Sequence, residues 1–189
     1  MRKYTRLFAA AAGLSFCLAG TAARAWETPD TYGLGRAPTQ AEISAWNIDV
    51  LPDGTGLPPG SGTVSQGAAL FAEKCAVCHG PTGVKGPYAT LVGKESLANE
   101  IKEGKKPART IGNLWPYAPV LFDYVRRAMP FTDPGSLTNE QVYALVAWLL
   151  YRNGILPENQ TLDAKTLSKV KMPAVGIFVE DPRRPWLVR

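Results

Sequence analysis

Apolar positions recur at helical spacing through one dense block of this chain, residues 63–154, and become sparse and Pro-interrupted on either side of it. The clearest pattern begins at Thr138-Asn139-Glu140-Gln141, a capping box, followed by Val142, Leu145, Val146, Leu149 and Leu150 on one helical face. Tyr143, Ala147, Trp148 and Tyr151 make the other side apolar as well, so this helix is expected to be buried on more than one face. A helix with Pro119 in its first turn is predicted to run to residue 127 or 128, ending before Pro130. Another is predicted over 96–103, stopped by Gly104. The first of the block is expected to be capped by Ser65, with Ala68, Phe71, Ala72 and Cys75 at helical spacing and Gly67 permitting close approach of another helix. The expected fold class is all-α, with a helical domain over 62–155.

The flanks read differently. Residues 26–61 form an extended arm rich in Gly and Pro, with a short helix expected only near 39–46. Residues 156–189 form a C-terminal extension with a turn of helix near 163–169 and prolines at 173, 182 and 185. Residues 1–25 read as a secretory signal: Arg2, Lys3 and Arg6, an apolar stretch, then Ala23-Arg24-Ala25 as a cleavage site. The apolar stretch falls short of a roughly 20-residue span, so no membrane span is expected after cleavage. Leu14-Ser15-Phe16-Cys17 is a poor lipoprotein signal, with bulky Phe16 where a small residue belongs.

Removing the leader changes the charge balance. The whole chain of 189 residues carries 21 basic and 16 acidic side chains, a net charge of +5. The leader holds four of the basic residues and none of the acidic ones, leaving 17 against 16, a formal +1. The basicity therefore argues for neither nucleic acid nor an anionic membrane as a partner. The 164 residues that remain suit one domain with extensions, and their two cysteines are Cys75 and Cys78.

Those two cysteines stand in Cys75-Ala76-Val77-Cys78-His79, the C-x-x-C-H spacing of covalent haem attachment. Two thiols three positions apart can add to the two vinyl groups on one haem edge, and the next residue then lies under the iron. His79 is the only histidine in the chain, so it is the candidate proximal ligand and bis-histidine ligation from this subunit is excluded. A thioredoxin-like pair would call for a βαβ setting, and a zinc site would call for two more ligands. A disulfide is the remaining structural alternative. One motif implies one haem c.

The sixth iron ligand separates carrier from catalyst. Met129, between the third and fourth helices, is the main candidate, because a thioether favours reduced iron. Met172 is the other methionine beyond the leader, and an open, lysine-bound or water-bound iron also stays in play. Met129 is equally compatible with an ordinary core role.

Gly67-x-x-x-Phe71 before the haem motif, Gly86-Pro87 with Leu91 after it, Met129 and a last helix with Trp148 together resemble the class I cytochrome c family over about residues 63–153. The resemblance implies a helical haem domain in which the Pro87 carbonyl accepts a hydrogen bond from His79 Nδ1. Read by spacing alone, Gly86-Pro87 is a turn. Tyr32-Gly33-Leu34-Gly35-Arg36, Leu57-Pro58-Pro59-Gly60, Trp115-Pro116-Tyr117-Ala118-Pro119, Arg126-Arg127-Ala128-Met129-Pro130-Phe131 and Lys169-Val170-Lys171-Met172-Pro173 are similar to the SoxD-like cytochrome subunits of periplasmic molybdenum sulfur and sulfite dehydrogenases. Some members of that group carry two haems, whereas this chain has one haem motif.

The resemblance implies an electron-transfer subunit without substrate chemistry of its own, working with a molybdenum-cofactor subunit and passing electrons to a downstream cytochrome c or oxidase. A free-standing periplasmic shuttle is the main alternative, and a haem enzyme or ligand sensor is a third. Arg109, Trp115 and Arg126 are candidate haem-propionate donors, although surface arginines are commonly just solvated. Trp26, Trp46 and Trp186 lie on the arms and either anchor a partner or fold back over the haem domain.

Overall fold

The computed structural model describes residues 33–178, so the leader expected over residues 1–25, with Cys17, and Trp26 and Trp186 lie outside the described residues. The chain divides into two units, 1–39 and 40–189, and everything below concerns the second. Its elements are α1 (Gln40–Trp46), β1 (Ser61–Thr63), α2 (Val64–Lys74), α3 (Ala76–His79), α4 (Leu97–Lys102), α5 (Ile111–Leu114), α6 (Ala118–Ala128), α7 (Asn139–Arg152), β2 (Thr161–Asp163) and α8 (Ala164–Leu167), with a 3-10 turn at Pro173–Ile177. The fold is all-α, with one two-stranded antiparallel ribbon of β1 and β2.

The long helix α7 is the axis of the core. Thr138 caps it through Gln141, and every residue from 142 to 150 is buried, as a helix apolar on both sides requires. Helix α2 crosses it at Gly67, where an added β-carbon would lie 1.9 Å from the Ala144 carbonyl oxygen. One turn further, Phe71 stacks on Trp148 with ring centroids 4.0 Å apart. Helix α6 packs on the other side through fully buried Phe122, which meets Tyr143 at 4.5 Å.

Two local details differ from the sequence expectation. The cap of α2 is Thr63, with a capping box to Gln66, rather than Ser65. Thr63 closes β1, so the extended conformation of a strand end and of an N-cap coincide at one residue. Helix α2 also ends at Lys74 and the chain restarts as α3, placing Cys75 at the joint and Cys78 with His79 in the short second helix.

The flanking segments contribute to the core. Val50, Leu162, Leu167, Met172 and Ala174 are buried, and Tyr143 Oη donates to the Pro58 carbonyl at 2.8 Å. Strand β2 brings the C-terminal segment alongside β1, pairing Gly62 with Leu162. Trp46, by contrast, is 85% exposed, so it does not cap the core.

Candidate haem site

The haem motif sits where α2 stops. Cys75 takes a hydrogen bond path out of α2 through its N–H to the Phe71 carbonyl, then serves as the start of α3, whose residues Cys78 and His79 both bond back to the Cys75 carbonyl. Both thiols are free and half-buried. Burial, then the neighbouring Cys78, pushes the Cys75 thiol up to about 11, so at neutral pH it is a protonated thiol. Among the described residues no three His, Cys, Asp or Glu side chains are grouped to hold a metal ion.

After His79 the chain doubles back tightly against the motif. Gly80 adopts φ +78°, and a β-carbon there would lie 1.9 Å from the Val84 carbonyl oxygen. A β-carbon on Gly86 would lie 2.2 Å from the Cys78 oxygen, and the Tyr88 N–H donates to that same oxygen at 3.1 Å. This return leads to Ala89, whose carbonyl lies 2.8 Å from His79 Nδ1. The partner of the histidine is therefore Ala89, two residues beyond the Pro87 expected from the family resemblance. Residues 86–88 are used in packing the backbone against Cys78, and the chain reaches the ring only afterwards; Pro87 itself is exposed. With Nδ1 engaged by a carbonyl, Nε2 is the nitrogen left to meet an iron.

The loops that follow are tied to the end of α7. Buried Asn153 accepts from the Gly93 and Gly112 N–H groups, each at 3.0 Å, and donates to the Leu91 and Leu149 carbonyls. Thr110 Oγ1 donates to Gly93, and Asn113 accepts from the Thr110 N–H. Asn153 is a site residue that the chemical motifs of the sequence do not mark; the signal for it is its position one residue before a glycine at a helix end.

Cys75, Leu91, Trp115 and Met129 are all partly buried apolar side chains bordering the same core. Met129 closes α6, its N–H bonded to the Val125 carbonyl at 3.2 Å and its backbone extended as the chain turns away. Met172 instead is buried, 3% exposed, among core residues of the C-terminal segment. Trp115 packs edge-on against Tyr124, centroids 5.5 Å apart. Arg109 is exposed, and half-buried Arg126 donates to the Ile48 carbonyl at 3.3 Å. The donor set present, two neighbouring thiols, an imidazole oriented through Nδ1 and a thioether bordering the same apolar core, fits a haem.

Comparison with known proteins agrees. A family model described as cytochrome C oxidase, cbb3-type, subunit III matches residues 62–149. A chain in the crystal structure of the sulfane dehydrogenase SoxCD from Paracoccus pantotrophus is 41% identical, with a TM-score of 0.73 over 82% of this chain and 75% of that one. The chain belongs to the SoxD-like family of c-type cytochromes. This cytochrome is also 27% identical over 126 residues to the thiosulfate dehydrogenase of Psychrobacter arcticus, which covers 60% of the cytochrome and 35% of the dehydrogenase. It thus spans about a third of the curated relative it matches. None of its described helices is long and apolar enough to cross a membrane.

Proposed function

We propose that this cytochrome is the electron-accepting subunit of a periplasmic molybdenum dehydrogenase acting on a sulfur compound, exported by residues 1–25 and carrying one covalent haem c. The observation that carries the reading is the reach of the likeness to the SoxCD chain. It covers 82% of the cytochrome, whereas the haem-domain family model stops at residues 62 and 149. A likeness that extends into the flanking segments favours a shared assembly over a shared haem fold alone.

In this reading Cys75 and Cys78 would hold the haem through thioethers, and His79 Nε2 and the Met129 sulfur would bind its iron. The haem supplies a one-electron redox change at iron. The Ala89 carbonyl would fix the tautomer and orientation of His79. A two-electron oxidation of sulfur at a partner subunit would be drained one electron at a time and passed to a downstream cytochrome c or oxidase. The single histidine of the chain is spent on the proximal side, which leaves no distal histidine for peroxidase-type acid and base assistance.

The test is the molybdenum-to-iron ratio of material captured from native periplasm, at low salt, through a tag on this chain. A ratio near one supports the assembly. Haem iron without molybdenum would overturn a stable subunit role and favour the free-standing shuttle.

A further inference from the structure

The carboxyl end of α6 is gripped by three consecutive residues of the N-terminal arm. Arg126 donates to the Ile48 carbonyl at 3.3 Å, Arg127 pairs with Asp49 at 3.0 Å, and the Val50 N–H donates to Asp123 Oδ1 at 3.2 Å. Asp123, only 7% exposed, also pairs with Arg127 one turn along the same helix. Val50 is buried at 5% exposure, so the grip is anchored in the core. All three ties fall on the last turn and a half of α6, and the last helical hydrogen bond of that helix is the one made by the Met129 N–H to Val125.

We propose that residues 48–50 are a latch that holds the end of α6, and through it keeps Met129 on the iron, making Asp123, Arg127 and Asp49 positioning residues for the sixth ligand. The inference rests on Met129 being that ligand. Its physical basis is the composition of the grip: one buried carboxylate accepts from the buried Val50 N–H and faces the Arg127 guanidinium at once, so that removing it leaves the Val50 N–H without an acceptor and Arg127 held by Asp49 alone. A helix end released by the arm would let the next residues move, and an exogenous ligand would then compete with the thioether more easily.

Imidazole binding to the ferric holoprotein, followed by its visible spectrum, reads this directly and is independent of electron-transfer activity. Asp123→Asn keeps an acceptor for Val50 but loses the charge facing Arg127; it should tighten imidazole binding by about tenfold. Asp49→Asn, at an exposed position that does not threaten folding, should tighten it by about threefold. Tyr143→Phe, which removes the separate arm tie to Pro58, should leave it within about twofold. Met129→Ala, measured in parallel, should tighten it by about a hundredfold or more.

If Met129→Ala rises and both aspartate variants stay at the wild-type value, the latch is wrong and the ligand assignment stands. An equal rise in Tyr143→Phe would also overturn the latch, by showing general loosening. If Met129→Ala binds imidazole as the wild type does, the ligand assignment fails and the latch with it. Should Asp123→Asn not fold, Asp49→Asn decides alone.

Discussion

Gly67 lies so close to Ala144 that a β-carbon added to the glycine would sit 1.9 Å from the alanine carbonyl oxygen and 2.7 Å from the Trp148 β-carbon. The contact fixes the crossing of α2 and α7, and α2 ends at Lys74, immediately before Cys75. Gly67→Ala should therefore separate the two helices, costing about 3 kcal/mol of stability, at the upper end of ordinary overpacking. Urea unfolding of the holoprotein checks the cost. A loss under about 0.5 kcal/mol would mean the crossing relaxes freely.

Asn153 joins four backbone groups from three segments. Asn153→Ala would strand the Gly93 and Gly112 N–H groups, and a loss of about 3 kcal/mol is expected from two stranded donors. Asn153→Asp restores the acceptor but not the donor, so its unfolding midpoint should fall between those of Asn153→Ala and the wild type.

Alkaline pH should weaken the fold through Tyr143. Its hydroxyl is pushed up to about 12, first by burial and then by Asp163. Its ordinary value is about 10. Because the folded state holds the proton more tightly, the stability linked to it is complete below pH 10 and is lost as pH rises toward 12. Tyr143→Phe should be about 1 kcal/mol less stable than wild type at pH 8 through loss of the bond to Pro58. The gap should shrink at pH 11, as measured by urea unfolding of both proteins at each pH.

Asp163 gives the opposite pH dependence. Its carboxylate caps α8, accepting from the Lys165 and Thr166 N–H groups and from Thr166 Oγ1, and these bonds hold its pKa below the ordinary value. Stability from this cap is present above the ordinary carboxylate range and is lost as pH falls through the lowered value. Asp163→Ala should lower the unfolding midpoint at pH 7, and the difference from wild type should narrow at pH 3.

The parts of the fold written in local signals were legible. Ser96 and Gly104 bound α4, Pro119 opens α6 in its first turn, and the Thr138 and Gln141 box starts α7. The small residue at Gly67 marked the helix crossing. What escaped depends on contacts far apart in sequence. Strands of three residues, 61–63 and 161–163, carry no period long enough to read, and their pairing is what selects Thr63 over Ser65 as the cap.

At the site, the side chains proposed to carry the chemistry, Cys75, Cys78, His79 and Met129, stand out by type and spacing. The groups that orient them are less visible. The acceptor for His79 is a backbone carbonyl, which any residue supplies, so only the tight return through Gly80 and Gly86 decides that it is Ala89. Arg126 reads as a propionate donor by its place in the chain, but a guanidinium has several donors, and the structure spends one on Ile48.

The central claim is that electrons reach this cytochrome from a molybdenum sulfur dehydrogenase. Its most direct test mixes the oxidised holoprotein with the molybdenum subunit of its native system and follows haem reduction on adding sulfite or thiosulfate. The account predicts reduction by at least one of these that requires both the subunit and the sulfur compound. An oxidised haem with both present, or the same rate of reduction without the subunit, would contradict it.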